Sequence, residues 1–115
     1  MAQLYKVHRI PPEVQYKVQR ITGISANCSD VALDDRLVGG YIFTVKAKTT
    51  SDDAVTVTIK DSDGATLAGG SATSAATGGE WLTVEDRYPI NDIPTYTVAG
   101  LGGGTLIIEI TVAKQ

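Results

Sequence analysis

Residues 39–48, Gly-Gly-Tyr-Ile-Phe-Thr-Val-Lys-Ala-Lys, decide the fold class of this chain. After the two glycines, large apolar side chains recur at every second position, with Thr44, Lys46 and Lys48 between them. A period of two is typical of a β-strand with one buried face, because successive side chains point to opposite sides. We therefore predict a strand, and its side chains expected to face the core are Tyr41, Phe43, Val45 and Ala47.

Other parts of the chain show the same period. Apolar and polar residues alternate from Val14 to about Thr22, from Val55 to Lys60, from Tyr96 to Val98 and from Leu106 to Val112. A shorter strand is expected around Thr66 to Ala68. About six to eight short strands, separated by turn residues and without a helical period, predict an all-β fold, an antiparallel β-sandwich or jelly roll.

Two segments lack this alternation. Residues 24–38 are mixed in character, so we expect a loop or one short turn of helix there. Residues 69–79 consist almost entirely of Gly, Ser, Ala and Thr, which predicts a loop near a tip. The apolar residues that follow this tract begin with Trp81.

The first twelve residues are predicted to form an extended arm. They end in Pro11 and Pro12, which prevent a helix from continuing. Residues 1–20 carry four cations and one carboxylate, although the chain of 115 residues has a net charge of −3. A basic segment attached to an acidic body often marks an interaction arm. We divide the chain into an arm, residues 1–12, and a single β-sandwich domain, residues 13–115.

The charge and hydropathy of the chain argue against two classes of partner. A nucleic-acid binder needs a clustered basic surface, whereas this chain is acidic overall. No stretch approaches the ~20 apolar residues that a membrane-spanning helix needs, and Met1 to Pro12 lacks the apolar run of a secretory signal. We expect neither a nucleic-acid nor a membrane partner.

Residues that could carry chemistry are few. His8 and Cys28 are the only histidine and cysteine, so one chain cannot supply the three or four such ligands of a zinc site. A lone cysteine is more often a small buried hydrophobe than a nucleophile. We therefore expect no catalytic residue, no metal and no cofactor, and we predict that the protein is not an enzyme.

The sequence Asp61-Ser62-Asp63-Gly64 has two interpretations. Two carboxylates two residues apart open many calcium loops. Position 12 of such a loop falls at Ala72, which cannot supply the carboxylate required there. The favoured interpretation is a hairpin turn, because Asp-Gly is a preferred turn pair.

Three aromatic residues also leave two interpretations open. Trp81, Tyr88 and Tyr96 could form a platform for a sugar, as exposed aromatic rings do in carbohydrate-binding modules. The alternative, which we favour, is that Trp81 plugs one end of the core, since exposed apolar surface needs a stated reason.

The chain resembles the small β-sandwich virion proteins of tailed bacteriophages, in particular head decoration or cement proteins. The resemblance rests on residues 39–45, the Asp61-Ser62-Asp63-Gly64 turn, the small-residue tract and residues 102–108, Gly-Gly-Gly-Thr-Leu-Ile-Ile. It covers most of residues 39–112, and it is one of style, without a specific signature motif.

This resemblance implies a cofactor-free virion protein that is assembled in the host cytoplasm. The implied partners are the major capsid protein or other virion subunits and further copies of the chain, often in a trimer near symmetry axes. We expect the arm to carry contacts, through Leu4, Tyr5, Val7, Arg9, Ile10, Pro11 and Pro12. The alternatives are a glycan-binding or adhesin-like module, or another virion component of the tail or the completed head.

Overall fold

The computed structural model describes residues 15–85 and 89–114. Within them the predicted all-β class is confirmed, and one turn of 3-10 helix, Asp35–Leu37, occurs where a loop or short helical turn was expected. The described strands are β1 Gln15–Ile24, β2 Cys28–Ala32, β3 Tyr41–Thr49, β4 Val55–Lys60, β5 Thr66–Ala72, β6 Glu80–Trp81, β7 Thr83–Val84, β8 Thr95–Ala99 and β9 Leu106–Lys114. These nine strands exceed the predicted six to eight. β6 and β7 have only two residues each, too few to show an alternation in the sequence.

The strands form two antiparallel sheets. Sheet A has the order β1-β9-β3-β6, and sheet B has the order β2-β8-β4-β5-β7. The chain passes from sheet A to sheet B between β6 and β7, at Leu82. The Leu82 amide donates a hydrogen bond of 2.8 Å to the Val45 carbonyl, and the Leu82 side chain is buried. This crossing ties one edge of each sheet together.

The core lies between the sheets and follows the predicted alternation most closely in β4 and β9. The central strand of sheet A, β9, supplies a row in which each side chain is 0% exposed: Leu106, Ile108, Ile110 and Val112. Sheet B packs against it with Val55, Val57, Ile59 and Val98. Burying one side chain of this size stabilises the fold by about 1.5–3 kcal/mol, so these two rows account for much of the driving force.

A β-bulge in β3 changes which side chains reach the core. Ile42 pairs with Val112 and Thr44 pairs with Thr111, so β3 has one residue more than β9 over this step. The additional residue shifts the inward–outward alternation by one position. Ile42 and Val45 are therefore both buried, although they are three residues apart. Ile42 therefore occupies the core row, while Phe43 is 38% exposed and Tyr41 is half-buried. The prediction that Phe43 faces the core with Val45 is wrong.

Strand β1 presents its apolar side to the outside. Tyr16 pairs with Ala113 and Val18 with Thr111, which places both on the outer face of sheet A. They are 55% and 51% exposed, so the expectation that the apolar side of this strand is the buried one is also wrong. The strand continues through Gly23, at φ +70°, to Ile24, and a register shift between Ile21 and Ile24 lets Ile24 reach the core.

Two strand regions were missed in the sequence. β2 lies at the edge of sheet B, where most of its residues are exposed and its pairing with β8 shifts between Cys28 and Val31, so it shows no period. β5 extends to Ala72, into the segment expected to be a loop. Gly70 fits there because a Cβ would lie 3.2 Å from Leu82 Cδ2, so a small residue suits the close approach of Leu82.

The predicted hairpin turn between β4 and β5 is confirmed. The Asp61 carboxylate accepts hydrogen bonds from the amides of Asp63, at 2.9 Å, and Ala65, at 3.0 Å. Gly64 has φ +88°, a conformation that glycine adopts without strain. The turn thus uses the Asp61 side chain to satisfy its own backbone.

Gly40, directly before β3, allows a test of how closely the chain approaches β9 at this point. A Cβ on Gly40 would lie 2.7 Å from the carbonyl oxygen of Ala113 and would collide with Val112 Cγ1. We predict that Gly40→Ala lowers the free energy of unfolding by about 1–3 kcal/mol, measured by urea denaturation. The control is Gly78→Ala, which has open space around it and should change stability by less than about 0.5 kcal/mol. Equal effects would contradict the close approach.

Candidate functional site

The outer face of sheet A carries a row of four side chains that crosses all of its strands. Arg20 pairs with Glu109, Glu109 with Lys46, and Lys46 with Trp81. Directly paired residues share one face, and neighbouring strands lie about 4.8 Å apart, so the row spans about 14 Å. Strand register alone therefore aligns a cation, a carboxylate, a second cation and an indole.

Trp81 is exposed and does not plug the core. Its side chain is 64% exposed, and the Lys46 ammonium lies 5.1 Å from the centre of the ring. A cation at this distance is attracted to the face of an indole by about 0.5–1 kcal/mol when the pair is exposed. The favoured interpretation of Trp81 is thus wrong. Leu82, the next residue, is buried at the crossing between the sheets.

A shallow cleft of about 200 Å³ opens beside Trp81 on this face. It is lined by Arg20, Lys46, Lys48, Gly78, Ile107 and Glu109, and we call it the basic cleft. Lys48 pairs with Ile107 in the row next to that of Glu109. Three cations around one carboxylate give the cleft a positive charge, which favours anionic groups.

The same face carries an apolar patch nearer the start of β1, formed by Tyr16, Val18 and Phe43. The rings of Tyr16 and Phe43 lie 5.5 Å apart between centroids and are tilted by 57°, within the range of favourable aromatic pairs. The bulge in β3 gives Phe43 its exposure. Sheet A therefore has two distinct outer regions, the apolar patch and the basic cleft.

The three predicted aromatic residues do not form one platform. Tyr96 lies in the core at 9% exposure, and burial raises the pKa of its hydroxyl, with the adjacent Cys28 raising it further. Trp81 points outward on the other sheet. Tyr88 lies outside the described residues, as does the whole predicted arm, residues 1–12, with its contact residues Leu4, Tyr5, Val7, Arg9, Ile10, Pro11 and Pro12.

The outer face of sheet B differs in kind. Its middle strands expose short polar side chains, and two threonines, Thr58 and Thr97, pair across β4 and β8. Thr97 also accepts a hydrogen bond of 3.0 Å from the Asp30 amide. The outward residues that flank this pair are Thr56, Thr66, Ser71, Thr83 and Thr95. Lys60 pairs with Thr66 and Thr95 at one end of this face, which otherwise carries mostly short polar side chains. Most of the large exposed apolar side chains therefore lie on sheet A.

Of the residues considered for chemistry, the structure describes Cys28 and the two carboxylates of the Asp61–Gly64 turn. Cys28 is a free, half-buried thiol packed against the core, in line with its interpretation as a small hydrophobe, and His8 lies outside the described residues. Within residues 15–85 and 89–114, no group of three His, Cys, Asp or Glu side chains is placed to hold a metal ion. The same residues include no helix that is long and apolar enough to cross a membrane.

The sequence predicted the outward cations of β3 on this face, but it predicted neither Arg20 nor Trp81 there. Lys46 and Lys48 were predicted to point away from the core, and they do. Their alignment with Arg20 and Trp81 depends on pairing between strands that are far apart in the chain. The one local indication of an exposed Trp81 is that the residues before it, 69–79, have side chains too small to cover a large ring.

Trp81 provides its own test, because it is the single tryptophan of the chain. We predict that its fluorescence emission in the folded protein resembles that of a solvated indole and is quenched efficiently by iodide. Lys46→Gln should reduce quenching by iodide, since it removes the cation beside the ring, but it should not reduce quenching by neutral acrylamide. Blue-shifted emission that resists iodide would place Trp81 in the core.

The chain was compared with protein families, curated proteins and solved structures. No protein-family model and no curated protein matches the chain. Among solved structures, the chain is similar to a chain of the cyanophage Pam1 capsid asymmetric unit, with a TM-score of 0.47 and 19% sequence identity. The matched region covers 90% of this chain and 84% of that chain.

Proposed function

We propose that this protein is a non-enzymatic virion structural protein, a decoration or cement protein that binds and stabilises a phage capsid shell. The observation that carries the proposal is the contiguous apolar patch of Tyr16, Val18 and Phe43 on the outer face of sheet A. The resemblance of the sequence to small virion proteins of tailed bacteriophages suggests that the partner is a capsid. The proposed partners are the major capsid protein or other virion subunits, together with further copies of this chain.

Exposed apolar side chains that lie next to one another usually mark an interaction surface. Tyr16 and Val18 are each more than half exposed, although their strand lies against the core-forming β9. The alternate positions on β1, Gln15 and Lys17, are exposed as well, so this end of the strand holds its two large apolar side chains in solvent, which a binding role would explain. They also follow the predicted arm closely in the chain, and we propose that the arm and the patch contact the same partner.

A protein of this kind needs no catalytic chemistry. Anything that binds an assembled lattice more tightly than free subunits shifts the equilibrium toward the lattice, by the same linkage that applies to a ligand and a fold. Many symmetry-related copies multiply this effect, because each copy that spans two subunits resists their separation. Even modest affinity at one site would therefore reinforce a shell.

The test uses purified heads of the phage whose genome encodes the chain, stripped of this protein. We predict that the wild-type chain sediments with these heads, and that Tyr16→Ala with Val18→Ala weakens this binding at least about tenfold, as expected for the loss of an aromatic anchor. Deletion of residues 1–12 should also abolish docking while leaving the sandwich folded. Binding is measured by sedimentation and folding by circular dichroism.

The matched control changes two exposed residues on the other sheet, Thr56→Ala with Ser71→Ala. Both double variants should unfold within about 1 kcal/mol of the wild-type protein, since exposed substitutions each change stability by about 0.5 kcal/mol or less. Failure of the wild-type chain to bind the heads would contradict the proposed function. If the Tyr16 and Val18 double variant bound the heads as tightly as the wild-type chain, the apolar patch would not be the binding surface.

The second candidate function is a glycan-binding or adhesin-like module, and the exposure of Trp81 favours it. An open indole can stack against a sugar ring, and the cations of the basic cleft could hold an acidic sugar. Glycan-array binding that disappears in Trp81→Ala, with the fold intact, would support this function. An array without binding, together with docking on heads, would favour the virion protein.

A further inference from the structure

The charges of this protein are separated between sheet A and the loops. The strands of sheet A carry five cations, Lys17, Arg20, Lys46, Lys48 and Lys114, and two carboxylates, Glu80 and Glu109. Their net charge is +3, although the chain as a whole is at −3. The rest of the molecule must therefore carry an excess of negative charge.

Most of that negative charge lies at one end of the sandwich, which we call the acidic end. Ala32 and Lys60 both pair with Thr95, so β2 and β4 finish where β8 begins, and the β7–β5 pairing brings Glu85 to the same end. The loops there are residues 33–40, 61–65, 85 and 89–94. Their described carboxylates are Asp34, Asp35, Asp61, Asp63, Glu85 and Asp92, against Arg36 in the loops and Lys60 and Lys114 at the adjoining strand ends.

Some of these carboxylates already have partners within the fold. Arg36 forms an ion pair of 2.8 Å with Asp34, and its hydrogen bonds hold the pKa of the Asp34 carboxyl below its ordinary value. Asp61 closes the β4–β5 turn. Asp63 and Glu85 are exposed and protrude with the turn and the end of β7, so their charge is directed at solvent.

The cations of the basic cleft have no such partners. In the described part of the chain, the Arg36–Asp34 pair is the one ion pair with nitrogen and oxygen within 4.0 Å. Glu109 lies among Arg20, Lys46 and Lys48 without forming one. The acidic end of the same molecule neutralises them only weakly, because the five residues from Lys46 to Tyr41 span about 17 Å, about two screening lengths at physiological salt.

We propose that the basic cleft binds the acidic end of a second copy of this chain, in a head-to-tail contact. The β4–β5 turn, with Ser62, Asp63 and Gly64 all exposed, presents a carboxylate that complements the cations of the cleft. The exposed ring of Trp81 lies 5.1 Å from the Lys46 ammonium of the cleft and offers apolar surface next to it. The contact uses charges that are present on every copy, so no other protein is needed to form it.

Such a contact is heterologous, since the two surfaces that meet are different. Repetition of a heterologous contact forms a ring if the rotation between copies closes, and an open filament if it does not. The apolar patch lies nearer the acidic end of sheet A than the cleft does and is not used by the contact. The inference therefore goes beyond the proposed function and does not depend on it.

The first experiment is sedimentation velocity of the purified full chain over a range of concentrations and salt, without any other protein. We predict reversible self-association that is strong at about 0.01 M salt and lost near 1 M, since the screening length falls from about 30 Å to about 3 Å. Lys46→Glu should weaken the association at least about tenfold. Asp63→Lys should weaken it to a similar extent.

Two further samples separate the proposed contact from a general effect of charge. An equimolar mixture of Lys46→Glu and Asp63→Lys should associate more strongly than either variant alone, because each supplies the surface that the other lacks. Lys60→Glu makes the same charge change as Lys46→Glu, but it lies beside the acidic end, so it should preserve or strengthen the association. Circular dichroism confirms that each variant is folded.

A chain that remains monomeric at every concentration and salt would overturn the inference, whether or not it binds phage heads. Association that is insensitive to salt, or that Lys60→Glu weakens as much as Lys46→Glu, would overturn it as well. If the cleft instead holds an acidic glycan, polygalacturonate will change Trp81 fluorescence while the protein remains monomeric. These outcomes are independent of docking on heads, which tests the proposed function alone.

Discussion

The structure depends on one register, that of β9 between β1 and β3. The inner row of β9 is fully buried, while its outer neighbours, such as Glu109, remain partly exposed. A slip of one residue would exchange the two rows, because side chains alternate strictly along a strand. The same register that closes the core therefore aligns Arg20, Glu109, Lys46 and Trp81 on the outer face. The register of β9 thus determines both the stability of the core and the arrangement of the candidate surface.

The sequence predicted best those strands whose neighbours are regular. β4 and β9 pair on both sides without interruption over most of their length, so their period of two reaches the core unchanged. β3 also shows that period, but its bulge changes the phase at Phe43, and a bulge is fixed by the partner strand rather than by local composition. β2 has no period to detect, because an exposed edge strand has no core face to maintain.

The candidate surfaces could be predicted only in part, for a related reason. Residue types indicated an acidic turn at Asp61, outward cations at Lys46 and Lys48, and aromatic residues of undecided role. Whether an aromatic side chain is buried depends on which sheet its strand joins: Tyr96 lies in the core through β8, whereas Trp81 points outward through two residues of β6. The expectation for Trp81 was wrong because it rested on the rarity of exposed tryptophan in general. The side on which Trp81 lies is set by its pairing with Lys46 of β3.

The difference between the two outer faces also indicates how copies of the chain can meet. Among the described strands, β1 is an edge of sheet A, and it carries Lys17 and Arg20 but no carboxylate. Two such edges brought together would place like charges side by side, and charged edge residues are a known protection against edge-to-edge pairing. The threonine-rich face of sheet B carries few charges and mostly short polar side chains. A contact that uses the outer face of sheet A avoids the repulsion at β1 and engages the cations, because its partner surface is acidic.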